Sequence, residues 1–190
     1  MRLNDPTKAS IDLVETKIAS ERVFDGNLLH VRRDTVRLPD ARTATREYIA
    51  HPGAVAILAM LDNGDIVLER QFRYPLGRVL IEIPAGKMDP GEDPLATGKR
   101  ELREETGYVA RHWEHLITYY PLVAYSDERI DIYLATGLSR EQASLDDGEF
   151  LEVFTAPMTT AAQWVREGMI VDSKSMISIL LMESCSRHSK

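Results

Sequence analysis

Between Gly86 and Tyr108 the chain reads GKMDPGEDPLATGKRELREETGY, a glycine-bounded loop followed by carboxylates at helical spacing. Asp93 followed by Pro94 supplies an N-cap and a first helical residue, and Gly107 supplies a terminator, so the spacing predicts a helix over Pro94 to Thr106. On that helix Glu101, Glu104 and Glu105 share one face, while Leu95 and Leu102 mark the side that packs inward. Like charges so placed repel by about a few tenths of a kcal/mol per pair on an isolated helix, and by more where water is scarce. A hard cation removes that penalty.

Carboxylate oxygens with no histidine or cysteine among them suit Mg²⁺ or Mn²⁺, which keep several waters and are commonly shared with substrate phosphates. Zinc is not expected. Gly86 lets the backbone approach the acids, the Pro90-Gly91 pair turns the loop back before Glu92, and Arg100 is placed to hold one carboxylate by a bidentate contact. The segment thus predicts a divalent-metal site acting on phosphate.

Composition narrows the setting. A chain of 190 residues, 44% of them hydrophobic, can bury one substantial core with a small appended subdomain. The net charge of −7 argues against a general nucleic-acid or anionic-membrane surface, leaving anionic substrates to metal and a few local basic groups. The single cysteine, Cys185, excludes an internal disulfide framework and reads as a small apolar helix residue or a free thiol. No signal-peptide core and no membrane-length apolar run is present, so a cytoplasmic protein is expected.

Strand-like runs precede the acidic helix at Ala19 to Phe24, Leu28 to Leu38 and Thr45 to His51, consistent with a small antiparallel sheet. Ala54 to Leu61 is continuously apolar, Asp62-Asn63-Gly64-Asp65 reads as a hairpin turn, Ile66 to Tyr74 returns, and Val79 to Ile83 leads into Pro84-Ala85-Gly86. Further strands are expected at His115 to Tyr120, Ile130 to Ala135 and Phe150 to Ala156, with helices at Thr160 to Glu167 and Ser175 to Ser186. Strand runs with a few helices indicate an α/β (α+β) chain whose central sheet lies between helices.

The residues Gly86, Glu92, Arg100, Glu101, Leu102, Glu104, Glu105 and Gly107 fit G-x5-E-x7-R-E-U-x-E-E-x-G-U, the Nudix box, with Tyr108 standing where an aliphatic is usual. Over nearly its full length the chain resembles the ADP-ribose pyrophosphatase branch of the Nudix hydrolases, through HPGAVAIL, LERQFRYP, EIPAGKMDPGE and YSDERIDIYLA. The resemblance implies a Nudix-type α/β/α sandwich with a mixed central sheet over 51–190. It further implies an N-terminal antiparallel β subdomain over 1–50 that is exchanged between the subunits of a homodimer. It makes Glu101 and Glu105 metal ligands, Glu104 a further ligand or a group orienting water, and Ala85 a donor through its carbonyl. In the acidic segment before the last strand, Glu149 is the candidate extra ligand and Asp147 the candidate base, against a solvated acidic turn.

For substrate, Arg73 is a candidate phosphate contact; Arg70, three residues earlier on one strand, should face the opposite way. Glu128 could reach the site or pair with Arg129, and Phe24 and Tyr74 could stack on a base or belong to the core. The implied reaction is metal-assisted hydrolysis of the pyrophosphate bond of ADP-ribose to AMP and ribose 5-phosphate. Val123 stands where that branch commonly has a proline in a Ser-Pro-Gly turn, which keeps GDP-mannose and other nucleoside diphosphate sugars as alternatives. The rival readings are a catalytically silent ADP-ribose sensor and a nucleoside triphosphate pyrophosphohydrolase.

Overall fold

The run Ala54–Ala59 is apolar at every position because both of its faces are covered. In the computed structural model, which describes residues 12–141, 143 and 150–188, this run is strand β4. Its Val55, Ile57 and Ala59 join one apolar cluster with Leu102, while Ala56 and Leu58 join another with Ile66, Leu68, Ile83, Ile132 and Ile179. Period-two alternation therefore feeds two cores, and a helix layer closes each. Leu102 comes from α1 (Pro94–Thr106). The other core takes Ala161, Ala162 and Val165 from α2 (Met158–Arg166) and Ile179 from α3 (Ser173–His188).

Strand β4 lies inside a four-stranded sheet of order β7-β4-β9-β8. It pairs antiparallel with β7 (Ala85–Lys87) and parallel with β9 (Ile130–Arg140), and β9 pairs antiparallel with β8 (Tyr108–Tyr119). A three-stranded antiparallel sheet, β10-β5-β6, joins Leu151–Pro157, Asp65–Arg73 and Arg78–Glu82. The mixed sheet between helices agrees with the expected α/β class.

The chain divides into two compact units, one of Met1–His51 with Leu122–Glu128 and one of Pro52–Pro121 with Arg129–Lys190. In the first, β1 (Thr16–Asp25), β2 (His30–Arg37) and β3 (Thr43–Ala50) form an antiparallel sheet in that order. Every residue of β1 is exposed, including Ile18, Val23 and Phe24. The loop Leu122–Glu128 is pinned to β3: the Ile49 amide donates to the Tyr125 carbonyl at 2.8 Å, and the His51 amide donates to Asp127 at 2.8 Å. Among the described residues no helix is long and apolar enough to cross a membrane.

Several boundaries depart from the sequence reading. Strand β8 begins at Tyr108 rather than His115, because an edge strand with Arg111, His112, Glu114 and His115 exposed carries little apolar alternation. Strand β7 opens the segment that the sequence marks as a loop; its three residues owe their extended form to pairing with β4. Tyr74–Leu76 is a 3-10 turn rather than a strand end, as Pro75 fixes φ and Gly77 closes the turn with φ of 63°. Leu95 is only partly buried; the covered face of α1 carries Thr97, Gly98, Leu102, Glu105 and Thr106.

Candidate active site

Helix α1 has the ends its sequence encodes. The Asp93 carboxylate accepts the Leu95 and Ala96 amides at 3.0 and 3.3 Å, and Gly107 sits at φ 70° with its amide donating to the Arg103 carbonyl at 2.9 Å. Those caps fix the helix phase, and the phase decides which acids are covered. Glu105 is 5% exposed, and the side chains of Glu101 and Glu104 are 14% and 23% exposed. A carboxylate so far from water must be held by donors or a cation.

Strand β7 supplies part of that holding. The Ala85 amide donates to Glu105 Oε2 at 3.1 Å. Gly86 runs so close to α1 that a Cβ built there would lie 1.9 Å from Glu101 Oε1. A residue without a side chain lets the backbone pass the Glu101 carboxylate where it now stands.

Arg100 was expected to hold one carboxylate and in fact holds three. Its Nε and Nη2 form a fork on Glu92 at 3.1 and 2.9 Å, while Nη1 reaches Glu101 at 2.8 Å and Glu104 at 3.1 Å. Nη2 also donates to the Lys87 carbonyl at 3.2 Å, so one guanidinium joins the loop, the strand and the helix. These bonds, with Glu92 foremost, raise the affinity of Arg100 for its proton.

Glu92 also accepts from the Thr97 hydroxyl at 2.8 Å and the Asp89 amide at 3.2 Å. The Arg100 bond first and the Thr97 bond second hold its carboxyl down to about 2. A depressed carboxyl in the folded state contributes stability that is fully present above the unfolded value and fades as pH falls through the folded one. Urea unfolding should therefore show a loss in stability between the ordinary carboxyl value of 4.5 and about 2, and Glu92→Gln should flatten that segment. An unaltered profile in the variant would remove Glu92 from the acid response.

The donor set is chemically suited to a hard divalent cation. Glu101, Glu104 and Glu105 project from neighbouring positions of α1, with the Ala85 amide on Glu105 and Gly86 beside Glu101, and the segment that carries them has no imidazole or thiolate. Among the described residues no three carboxylate, imidazole or thiolate groups are already gathered closely enough to hold a metal ion as they stand. Two of the three, Glu101 and Glu104, turn toward Nη1 of Arg100.

The remaining candidates fall in several places. Arg73 and Arg70 do lie on opposite faces of β5, whose pairing with β6 runs without a bulge. Arg73 makes a fork with Glu82, Nε and Nη2 each at 2.7 Å, and the affinity for its proton is raised chiefly by that bond. Arg70 packs 3.9 Å from the centre of the Phe154 ring and reaches Glu152 at 3.2 Å. Tyr74 is 87% exposed on the 3-10 turn. In the N-terminal unit, Phe24 borders a cavity of about 240 Å³ with Arg22, Asp25, His30, Val31 and Arg32, and Glu128 lies 3.9 Å from His51. Asp147 and Glu149 lie outside the described residues.

Sequence reasoning assigned no role to a second polar cluster. Glu82, 1% exposed, is shared by Arg73 and the buried Lys174, and Lys174 also meets Asp172 at 3.0 Å. Burial alone would raise the Glu82 carboxyl, but Arg73 and Lys174 outweigh it and hold the group below the usual range. A glutamate alone in an apolar strand, VLIEIPAG, was the available signal.

Comparison with known proteins places these residues in context. A NUDIX domain profile matches residues 50–174, and a nucleoside diphosphate sugar hydrolase N-terminal domain profile matches residues 15–49. The methanol dehydrogenase activator of Bacillus methanolicus is 40% identical over 89% of this chain and 92% of its own length. An ADP-ribose pyrophosphatase of Bacillus subtilis is 39% identical over 90% of this chain and 94% of its own. The crystal structure of an ADP compounds hydrolase superposes with a TM-score of 0.82 over 96% of this chain and 98% of that one, at 20% identity, a likeness of fold.

Proposed function

This chain belongs to the Nudix family, and we propose that it hydrolyses the pyrophosphate bond of ADP-ribose, giving AMP and ribose 5-phosphate. The observation that carries the reading is the complete acidic face of α1, with Glu101, Glu104 and Glu105 held by Arg100, Gly86 and the Ala85 amide. A purely binding module has no need of this whole set.

Glu101, Glu104, Glu105 and the Ala85 carbonyl would hold Mg²⁺ or Mn²⁺, with Glu149 a further ligand. When bound, the cation neutralises diphosphate charge and makes water more acidic. The rest falls to the chain. Arg100 fixes the directions of Glu101 and Glu104, and the Ala85 amide fixes that of Glu105. In this reading Asp147 accepts the proton of the attacking water at a carboxylate oxygen, and Glu104, the most exposed of the three, is a further ligand or orients that water. In this reading Arg73 is the arginine that meets substrate phosphate, while Arg70 faces the other side of β5 against Phe154 and Glu152.

The same reading has the enzyme work in the cytoplasm as a homodimer. Support for the dimer comes from β1, an edge strand exposed along its whole length that carries Ile18, Val23 and Phe24 on its surface. Sedimentation equilibrium should give twice the chain mass.

A rate panel tests the substrate. With Mg²⁺ or Mn²⁺, ADP-ribose should have the highest kcat/KM among ADP-ribose, GDP-mannose, NADH and nucleoside triphosphates. A preference for GDP-mannose would keep the chemistry and replace the substrate. Release of pyrophosphate from triphosphates as the best reaction would overturn the reading.

A further inference from the structure

The backbone between β6 and β7 is tied at each successive residue. The Glu82 side chain is held by Arg73 and Lys174; the Ile83 amide donates to Ser175 Oγ at 2.9 Å; the Pro84 carbonyl accepts the Ile57 amide at 2.9 Å; the Ala85 amide meets Glu105. Gly86 follows against Glu101. Two of these ties come from the first turn of α3. Asp172 accepts the Ser175 amide at 3.0 Å and the Ser175 hydroxyl at 2.6 Å, and it also meets Lys174. Ser175 and Ile83 are both fully buried, so water cannot replace the bond between them.

We propose that Lys174 and Ser175 are positioning residues, a clamp by which the start of α3 sets the β6 to β7 corner and through it the Glu101 and Glu105 carboxylates. Neither residue touches those carboxylates. Their influence runs along the chain from Ile83 to Ala85, where proline restricts the one intervening residue. The ties at Glu82 and Ile83 leave that corner little freedom to slide along β4, and sliding would carry the Ala85 amide away from Glu105 and Gly86 away from Glu101. The clamp also shares Glu82 between two cations, so Lys174 fixes the carboxylate that aims the Arg73 guanidinium.

The inference rests on the proposed hydrolase reading, and its test keeps the two apart. Ser175→Ala removes the acceptor of the Ile83 amide while keeping the helix. The expected result is a folded protein whose kcat for ADP-ribose falls about tenfold with KM within about twofold, since the bound ground state is less exacting than the transition state. Mn²⁺ binding followed by electron paramagnetic resonance should weaken several-fold, and amide exchange in the metal-free protein should rise at Ile83 and Ala85 while the β4 amides stay protected. Ser175→Thr, which keeps the hydroxyl, should restore Mn²⁺ binding and protection toward wild type. Lys174→Met should move the same readouts in the same direction.

Wild-type kcat and Mn²⁺ affinity in Ser175→Ala, with the Ile83 amide exposed to exchange, would overturn the clamp. So would an exchange increase spread evenly through both sheets, which marks general destabilisation. Should wild-type protein leave ADP-ribose untouched, the substrate reading fails, and the Mn²⁺ and exchange measurements still decide the clamp.

Discussion

Glu105→Gln should lower kcat by about 10²- to 10³-fold, the loss seen when one preorganised electrostatic group is removed from a transition state, with little change in thermal unfolding. The two effects separate for a structural reason. Glu105 is 5% exposed and accepts the Ala85 amide through Oε2, and a glutamine has the same size and a carbonyl oxygen that can accept the same bond. What the substitution removes is the negative charge, at the end of the acidic face where the cation would be held. Weaker charge there reduces attraction for a divalent ion and for its acidifying effect on water, by about 3 to 4 kcal/mol of barrier on the fold-change given. Steady-state kinetics with saturating Mg²⁺, beside a melting curve, reads both. Turnover within about threefold of wild type in a folded variant would take Glu105 out of the mechanism.

Gly86→Ala should have the second largest effect, a fall of about 10- to 100-fold in kcat, because a misplacement on the order of 1 Å at a reacting centre costs up to that much. A Cβ at Gly86 would stand 1.9 Å from both Cδ and Oε1 of Glu101, far inside any permitted contact. The obstructed atoms are the end of a flexible side chain, so the carboxylate can swing aside while the fold remains. It cannot do so without loosening the 2.8 Å bond from Arg100 Nη1, and Glu101 then leaves the face it shares with Glu104 and Glu105. Backbone pairing of Gly86 with Val55 in β4 tolerates alanine, so the melting temperature should fall by only a few degrees. Mn²⁺ titration should show weakened binding alongside the kinetic loss. Normal affinity with normal turnover would mean that Glu101 is not needed where it now stands.

The acidic helix was legible in the sequence because its signals are local. Asp93, Pro94 and Gly107 fix both ends, and the phase between them puts the three glutamates together without reference to the rest of the chain. The two-sided burial of β4 was legible for a similar reason, an uninterrupted apolar run. The start of β8 was not, since its exposed polar residues leave little apolar alternation to read, and pairing in β7 was not, since it depends on β4, a strand earlier in the chain with two others between. The cluster of Glu82, Arg73, Asp172, Lys174 and Ser175 was invisible on the same ground: Glu82 and Lys174 are 92 residues apart in the chain. Arg100 shows the mixed case, where sequence indicated that it would hold an acid and only the folded loop shows that Glu92, Glu101 and Glu104 all converge on it.

The measurement that bears most directly on the proposed activity is mass analysis of the products formed from ADP-ribose and Mg²⁺ in ¹⁸O-labelled water. AMP and ribose 5-phosphate in equal amounts, with one solvent oxygen entering the phosphate of one of them, is the result expected for water attack on the pyrophosphate bond. Intact ADP-ribose beside active metal-loaded protein, or release of free adenine or orthophosphate in place of AMP, would contradict it.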